Sequence, residues 1–374
     1  MVRIRASAAL TCLGDGAATF AALLDGRSGV GSLPHIDAGS VNVTCGYSID
    51  GDAPEPGYGA GGLLSVVVAS ALADAGLDPD TDRVPVVVGT GLRESRAIER
   101  WAAGERPVEL ERLHFGAAVA GVGGALGPVV TLSNACSASG HALALAHDMV
   151  ELGFANHVVA AGADVMAVSM LAMIGRVAPE PTRQVRPFDT RRTGVLLGEG
   201  AAAVVVAAGP AGDGEAELLA TGLSCDASHE TIPDEAGMVR AMEDAYARAG
   251  VRSADVDLVV AHGTGTEQND PAEARALRRV FTAPGRPVLT AVKGAVGHTS
   301  GAAALVNVDV ALRAMREGRV PPVVGLRTPI PETAEFRLAG GEPGHTPVRL
   351  AQVNAFGFGG LNAVTLMAAP GAAR

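Results

Sequence analysis

Aromatic side chains are scarce in this chain: one Trp, three Tyr and eight Phe among 374 residues. A core with so few rings must be filled by Ala, Val and Leu, which suits closely packed helices and parallel strands buried on both faces. Charge is scarce as well. Asp, Glu, Lys and Arg make up 18%, below the ~25% of ordinary globular chains. Hydrophobic residues reach 48%, so a chain held open by its own charge is excluded. There is no basic excess. The net charge of −11 excludes general nucleic-acid binding, which depends on neutralising phosphates. An acidic partner can still dock on a local basic patch.

The four cysteines, Cys12, Cys45, Cys136 and Cys225, lie far apart with no CxxC. That spacing fits neither a disulfide framework nor a zinc site. Taken singly, each reads as a small buried hydrophobe in a reducing cytosol. The N-terminus, MVRIRASAALTCLGDG, has no apolar h-region of a signal peptide. The most membrane-like stretch, Val158 to Gly175, is interrupted by Asp164 and Ser169 and is shorter than the ~20 apolar residues of a spanning helix. It reads as a buried strand followed by a loop or helix. A cytoplasmic protein with no metal and no bound cofactor is expected.

What the chain does have is repetition. SALADAGLDPDTDRVPVVVGTG and DAYARAGVRSADVDLVVAHGTG each read as a helix, an Asp-bearing turn and an apolar strand ending at Gly-Thr-Gly. Their register is constant at 174 residues (250 − 76 and 263 − 89). A second pair follows, CSASGHALALAHDMVELG from Cys136 and HTSGAAALVNVDVALRAMREG from His298, now 162 apart (298 − 136). The third is GEGAAAVVVAAG from Gly198 against GFGGLNAVTLMAAPG from Gly357. Three pairs in one order predict a duplicated βα unit, with halves 1–210 and 211–374 meeting at Pro210–Gly214. Short apolar runs, Val84–Val88, Val129–Leu132, His157–Ala161, Ala202–Ala207, Leu258–Ala261 and Ala363–Met367, alternate with helical patterns. A mainly parallel α/β sheet covered on both faces is expected.

In such folds reactive groups gather where strands end and helices begin. Cys136 stands between the strand Val129–Leu132 and a helix from Gly140, where a helix N-terminus stabilises a thiolate. His262 follows the strand Leu258–Ala261. His298 opens the second long helix, and the repeat sets it in the place of Cys136. Facing halves bring the cysteine and both histidines to one cavity. His141 and His147 read as packing or surface residues. Arg93–Arg112 reads as a solvated face, with docking as the alternative. The glycine-rich stretches near Gly14 and Gly89 are neither a P-loop nor a convincing dinucleotide fingerprint.

Five blocks in order resemble the beta-ketoacyl-acyl carrier protein synthases (ketosynthases) of the elongating type. They are Asn134-Ala135-Cys136-Ser137-Ala138-Ser139; Arg186-Pro187-Phe188-Asp189 with Gly198-Glu199-Gly200; His262-Gly263-Thr264-Gly265-Thr266 with Asn269, Asp270, Pro271 and Glu273; Lys293 with Gly297-His298-Thr299; and Asn354-Ala355-Phe356-Gly357-Phe358-Gly359-Gly360. The resemblance covers nearly the whole chain. It implies a thiolase-like fold, two duplicated βα halves forming a layered α-β-α-β-α core. It also implies decarboxylative Claisen condensation of an acyl thioester with a malonyl-type thioester on acyl carrier protein, in polyketide or specialised fatty-acid biosynthesis.

The roles it implies are these. Cys136 takes the acyl chain. His262 and His298 hold the extender's thioester carbonyl and stabilise the enolate. Lys293 supports His298. Backbone N–H groups of Cys136 and Phe356 form the oxyanion hole, and Phe356 gates the acyl pocket. Thr264, Thr266, Asp270, Glu273, Gly357 and Phe358 support them. Acyl carrier protein is the implied partner, with Arg93, Arg96 and Arg100 as candidate docking residues. A homodimer is the default, with a heterodimer with a related subunit as the alternative. Asn134 stands where Thr is common, the segment between Gly91 and Cys136 is short, and Asn307 stands where some relatives carry glutamate. These departures bear on substrate and partner choice. Two other readings are a chain-length-determining partner subunit and an acyltransferase or thioesterase on the same fold.

Overall fold

The computed structural model describes residues 1–33, 41–49, 59–177, 180–282, 287–340 and 345–372. Two five-stranded units run through it. In the first the order across the sheet is Val2–Thr11, Gly200–Ala208, His157–Asp164, Val86–Gly89, Val129–Leu132. In the second it is Ala216–Cys225, Leu361–Ala368, Leu350–Gly357, Leu258–Val260, Val288–Thr290, with the short Arg337–Leu338 added at the edge. The two orders are the same in chain sequence, so the duplication predicted from the three matched segments is present as topology. Among the described residues, only Arg3↔Glu217 and Ile4↔Ala216 join the two sheets side by side.

The sheets are mixed rather than mainly parallel. In each half the two pairings nearest the junction are antiparallel and the two beyond them, toward the outer edge, are parallel. The second half shows why. Leu350–Gly357 returns as Leu361–Ala368 through Phe358–Gly360 alone, and so short a connection permits only an antiparallel partner. The apolar runs identified as strands lie in strands, with ends displaced by a few residues. The membrane-like stretch forms the strand His157–Asp164 and the helix Val168–Val177. No helix among the described residues is long and apolar enough to cross a membrane.

Helices form three layers around the sheets. Gly59–Asp74 packs outside the first sheet and Glu235–Ala249 outside the second. Ala138–Glu151 and Ala303–Glu317 lie between the sheets, touching each other and strands of both halves. Strands sandwiched this way are apolar on both faces: His157–Asp164 is buried from Val158 onward, and Gly200–Ala208 up to Ala207. Small residues let the middle helices approach. A Cβ on Gly89 would lie 2.3 Å from Ser139 N, so only glycine fits where this strand meets the helix.

The register of the middle helices corrects the sequence alignment. The 3-10 turns Ala135–Ser137 and Ser300–Ala302 precede the two helices. Each begins on a non-glycine residue with positive φ, Ala135 at 51° and Ser300 at 47°. Left-handed glycines follow the helices, Gly153 and Gly318. The offset is 165 (300 − 135 and 318 − 153), so Cys136 corresponds to Gly301 and not to His298. Matching the two reactive residues Cys136 and His298 to each other set the sequence alignment off by three residues (165 − 162).

Candidate active site

Cys136 sits in its 3-10 turn at the entrance to the first middle helix, half-buried. Burial pushes its thiol up to about 11, against the pull of the Lys293 charge and of backbone N–H groups from Phe358 and from Cys136 itself. The thiolate expected at a helix N-terminus is therefore not the resting form. Desolvation is the largest influence on this thiol and outweighs the helix end.

His262 leaves the strand Leu258–Val260 and is buried. Its backbone N–H donates to Glu273 Oε1 at 2.8 Å, and its Nδ1 lies 3.3 Å from Lys293 Nζ. The Lys293 ammonium also donates to the His262 carbonyl oxygen. His298 faces His262 edge to face, with ring centroids 5.3 Å apart and an interplanar angle of 82°. Both nitrogens of the His298 ring are buried with no hydrogen-bond partner among the described residues. Burial and the Lys293 charge hold both imidazoles well below the usual histidine range, so both are neutral. Lys293 is brought down to about 8 by burial, against the opposing charges of Glu273, Cys136 and Asp270.

The support residues form a belt beneath this group. Glu273 accepts from the N–H groups of His262 and Gly263 and from Asn354 Nδ2 at 3.0 Å. Asp270 accepts from Phe188 N at 2.7 Å, Thr264 N and Gly265 N; burial raises its pKa to about 6. Thr264 and Thr266 share a hydroxyl–hydroxyl bond of 2.9 Å. Asp270, Glu273, Thr264 and Thr266 therefore shape the loop that carries His262. The backbone of His298 is fixed separately: its N–H donates to Leu196 O, and its carbonyl accepts from Gly198 N.

Four sequence expectations, for Lys293, Phe356, Arg96 and Arg100, are changed by the geometry; Lys293, expected to support His298, hydrogen-bonds His262 instead. Phe356 is buried in its strand with its ring on His262, centroids 5.9 Å apart. It is Phe358, two residues on and 43% exposed, whose N–H faces the Cys136 sulfur. The alternation of a strand sends Phe356 inward, and the turn after Gly357 brings the next N–H to the cysteine. Arg96 is not a free docking residue, because it binds Glu199 and the Met166 carbonyl. Arg100 is paired with Glu105 at 3.0 Å, and Arg93 is exposed. Asn307 donates to the Ala261 carbonyl at 3.3 Å, beside His262. His141 is turned to its own helix, Nδ1 lying 3.1 Å from Ser137 O. His147, Asp148 and Glu151 are the one group among the described residues with metal-ligand spacing, and Asp148 is already paired with Arg248.

Asp164 escaped the sequence reading except as a break in an apolar run. It is fully buried and accepts from Thr90 Oγ1, Gly91 N and Leu92 N in the first half and Gly301 N in the second. Burial raises its pKa to about 6. A lone carboxylate closing the run HVVAAGAD was the available signal, since a charge there needs several donors.

A doubled two-sheet fold with a cysteine and two neutral histidines at its seam is the thiolase-type architecture of the ketosynthases. The family model "Beta-ketoacyl synthase, N-terminal domain" matches residues 62–209, and "Beta-ketoacyl synthase, C-terminal domain" matches 215–327. "Putative polyketide beta-ketoacyl synthase 1" of Streptomyces halstedii is 31% identical over 342 residues, covering 82% of this chain and 80% of that protein. "Nodulation protein E" of Rhizobium meliloti is 36% identical over 251 residues, 64% of this chain; the match spans 62% of that protein's length. Among solved structures, the ishigamide ketosynthase/chain length factor superposes with a TM-score of 0.86 at 27% identity, over 99% of both chains. A beta-ketoacyl synthase from Burkholderia phymatum gives 0.86 at 25% identity, over 98% of both. The chain belongs to the beta-ketoacyl synthase family.

Proposed function

We propose that the chain is a condensing enzyme that joins an acyl group held on Cys136 to the carbon released by decarboxylation of a malonyl-type thioester. The observation that carries this reading is the His298 ring: buried, neutral, with both nitrogens unpartnered, and edge-on to a second neutral histidine. Unsatisfied buried nitrogens cost stability, and a substrate carbonyl oxygen or the enolate it becomes supplies the missing acceptor. Neutral imidazoles donate without protonating the enolate carbon.

Loading comes first. The Cys136 thiol attacks an acyl thioester, and its proton ends on the departing thiol. The raised thiol pKa makes this proton transfer part of the step rather than a prior equilibrium. The oxyanion formed lies between the N–H groups of Cys136 and Phe358. The malonyl-type thioester then binds with its carbonyl against His262 and His298, loses CO₂, and leaves an enolate. Its carbon attacks the Cys136 thioester; the C–C bond forms, the C–S bond breaks, and the cysteine recovers a proton. The Lys293 charge stabilises the enolate and the departing thiolate. The chemistry uses no cofactor, and the acyl groups arrive on the phosphopantetheine arm of an acyl carrier protein. Arg93 remains a candidate contact for that acidic partner. Dimerisation runs along the open edge strand Val129–Leu132, where Val130 is exposed. A second related subunit is the alternative partner.

Intact mass spectrometry after incubation with an acyl thioester should show one adduct, lost in Cys136→Ala. The purified chain with acyl and malonyl carrier proteins should then form a beta-ketoacyl product. Release of free acid or an ester instead would reassign it as a thioesterase or acyltransferase. Product appearing only with a second ketosynthase-like chain would assign it to a heterodimer.

A further inference from the structure

The geometry points to Tyr47, outside every motif, as the positioning residue that sets the His298 imidazole for its part in the proposed reaction. This inference rests on the reading of His298 given above. Tyr47 is fully buried and is among the largest such side chains of the chain. Its main chain lies against Leu196–Glu199: Tyr47 N–H donates to Leu197 O at 3.0 Å, and Glu199 N–H donates to Tyr47 O at 2.9 Å. The other side of that same segment holds the backbone of His298. Tyr47 is thus one short extended strand away from the histidine.

Its side chain reaches the same loop by a second route. The hydroxyl donates to Gly294 O at 3.2 Å, one residue after Lys293, and accepts from Val185 N at 3.3 Å. Ser28 Oγ donates to the same Gly294 carbonyl, and Gly29 N–H to Ala295 O. The ring lies against Gly297, the residue before His298. A Cβ there would be 2.4 Å from Tyr47 Cδ2. Gly297 has φ 69° and ψ −173°, a conformation that turns the chain sharply into His298. The loop 293–298 is therefore clamped at Gly294 by the hydroxyl and at Gly297 by the ring. Burial pushes the phenol up to about 12, so it stays a donor at every working pH.

His298 needs such a clamp because no hydrogen bond among the described residues holds its ring. With neither ring nitrogen bonded, its orientation comes from packing on His262 and from the backbone on either side. A shift near 1 Å at a positioned group costs roughly a hundredfold in rate. Tyr47→Phe keeps the ring and loses the clamp at Gly294; Tyr47→Leu loses both.

The test separates loading from decarboxylation. Acylation of Cys136 is followed by mass spectrometry and CO₂ release is measured from malonyl-carrier protein. Tyr47→Phe should load within twofold of the parent and decarboxylate about tenfold more slowly; Tyr47→Leu should lose about a hundredfold. Tyr47→Leu combined with His298→Ala should be no slower than His298→Ala alone, since both act through one ring. Equal losses in loading and decarboxylation, or additive losses in the double variant, would overturn the assignment. A second readout is independent of activity: in histidine-labelled protein, Tyr47→Phe should move the His298 ring resonances and leave those of His141 in place. If His298→Ala decarboxylates normally, the catalytic reading fails, while the resonance shift still decides whether Tyr47 sets the ring. Should Tyr47→Leu fail to fold, Tyr47→Phe decides the question by both readouts.

Discussion

The two halves share a strand order and differ where chemistry is done. At the same turn before the middle helix, the first half carries Ala135-Cys136-Ser137 and the second Ser300-Gly301-Ala302. One turn presents a sulfur. The other is pressed so closely onto the loop Thr90–Gly91 that a Cβ on Gly301 would be 2.4 Å from backbone atoms of that loop. Conversely, the strand Val86–Gly89 leads into Thr90, while the strand Leu258–Val260 leads through Ala261 into His262. Duplication supplied two geometrically equal sets of strand and helix ends, and each half specialised a different set. One half carries Cys136, the proposed nucleophile; the other carries His262, Lys293 and His298, the proposed contacts of the second substrate.

The largest effect should come from removing the second half's contribution while sparing the first. His298→Ala is expected to lose about 10²–10³-fold in CO₂ release from a malonyl thioester, with Cys136 acylation retained. Loss of loading in the same proportion would break the division of labour. Next comes the pair of equivalent turns. Gly301→Ala should destabilise by about 3 kcal/mol through overpacking against backbone, whereas Cys136→Ala should stay within about 1.5 kcal/mol of the parent while losing the adduct. Denaturant titration of both variants measures the contrast; equal stabilities would show that the turns are not packed differently.

Acid should act on the buried imidazoles and on the buried carboxylates in opposite senses. His262 and His298 have folded pKa values below their ordinary 6.5, so the unfolded chain binds protons first. Their contribution is present above that value and lost as pH falls. Asp164 and Asp270, raised to about 6 from 3.8, make the folded chain the better proton binder in that window, so their contribution grows on acidification. The first fall in Tm between pH 7 and 6 therefore belongs to the histidines and should be smaller in His298→Gln. An unchanged slope in that variant would contradict the neutral-imidazole assignment.

The smallest effect concerns the outer edges. Val288–Thr290 is buried and bordered by Arg337–Leu338, but Val129–Leu132 is an open edge with Val130 exposed. Val130→Lys should change the stability of the isolated chain by no more than about 0.5 kcal/mol while shifting sedimentation toward monomer. An unaltered dimer would place the interface elsewhere.

Much of this was legible in the sequence. Matched segments announced the duplication because equal packing environments keep equal patterns of Gly, Val and Ala. Cys136, His262 and His298 were legible because each ends or begins an apolar element. What stayed hidden depended on contacts between distant segments. The antiparallel direction of the strands nearest the junction follows from the connection through Phe358–Gly360, not from apolar runs. The choice of Phe358 over Phe356 depends on which N–H a turn aims at a sulfur 222 residues away (358 − 136), the two side chains being equally aromatic. Arg96 looked like surface until Glu199 was beside it, and Tyr47 belongs to no pattern at all.

Asp164 has a kinetic meaning beyond its static bonds. Its carboxylate bonds Gly91 N–H on one side and Gly301 N–H on the other, and the second of these closes a separation of 137 residues along the chain. The logarithmic part of that closure costs about 4 kcal/mol of chain entropy, and none of it is recovered until the rest of the seam has docked. The turn that faces Cys136 from the second half therefore sets late in folding, after each sheet has its own core. A nascent chain released before its last strands emerge would carry Cys136 without the groups that surround it, and so no site.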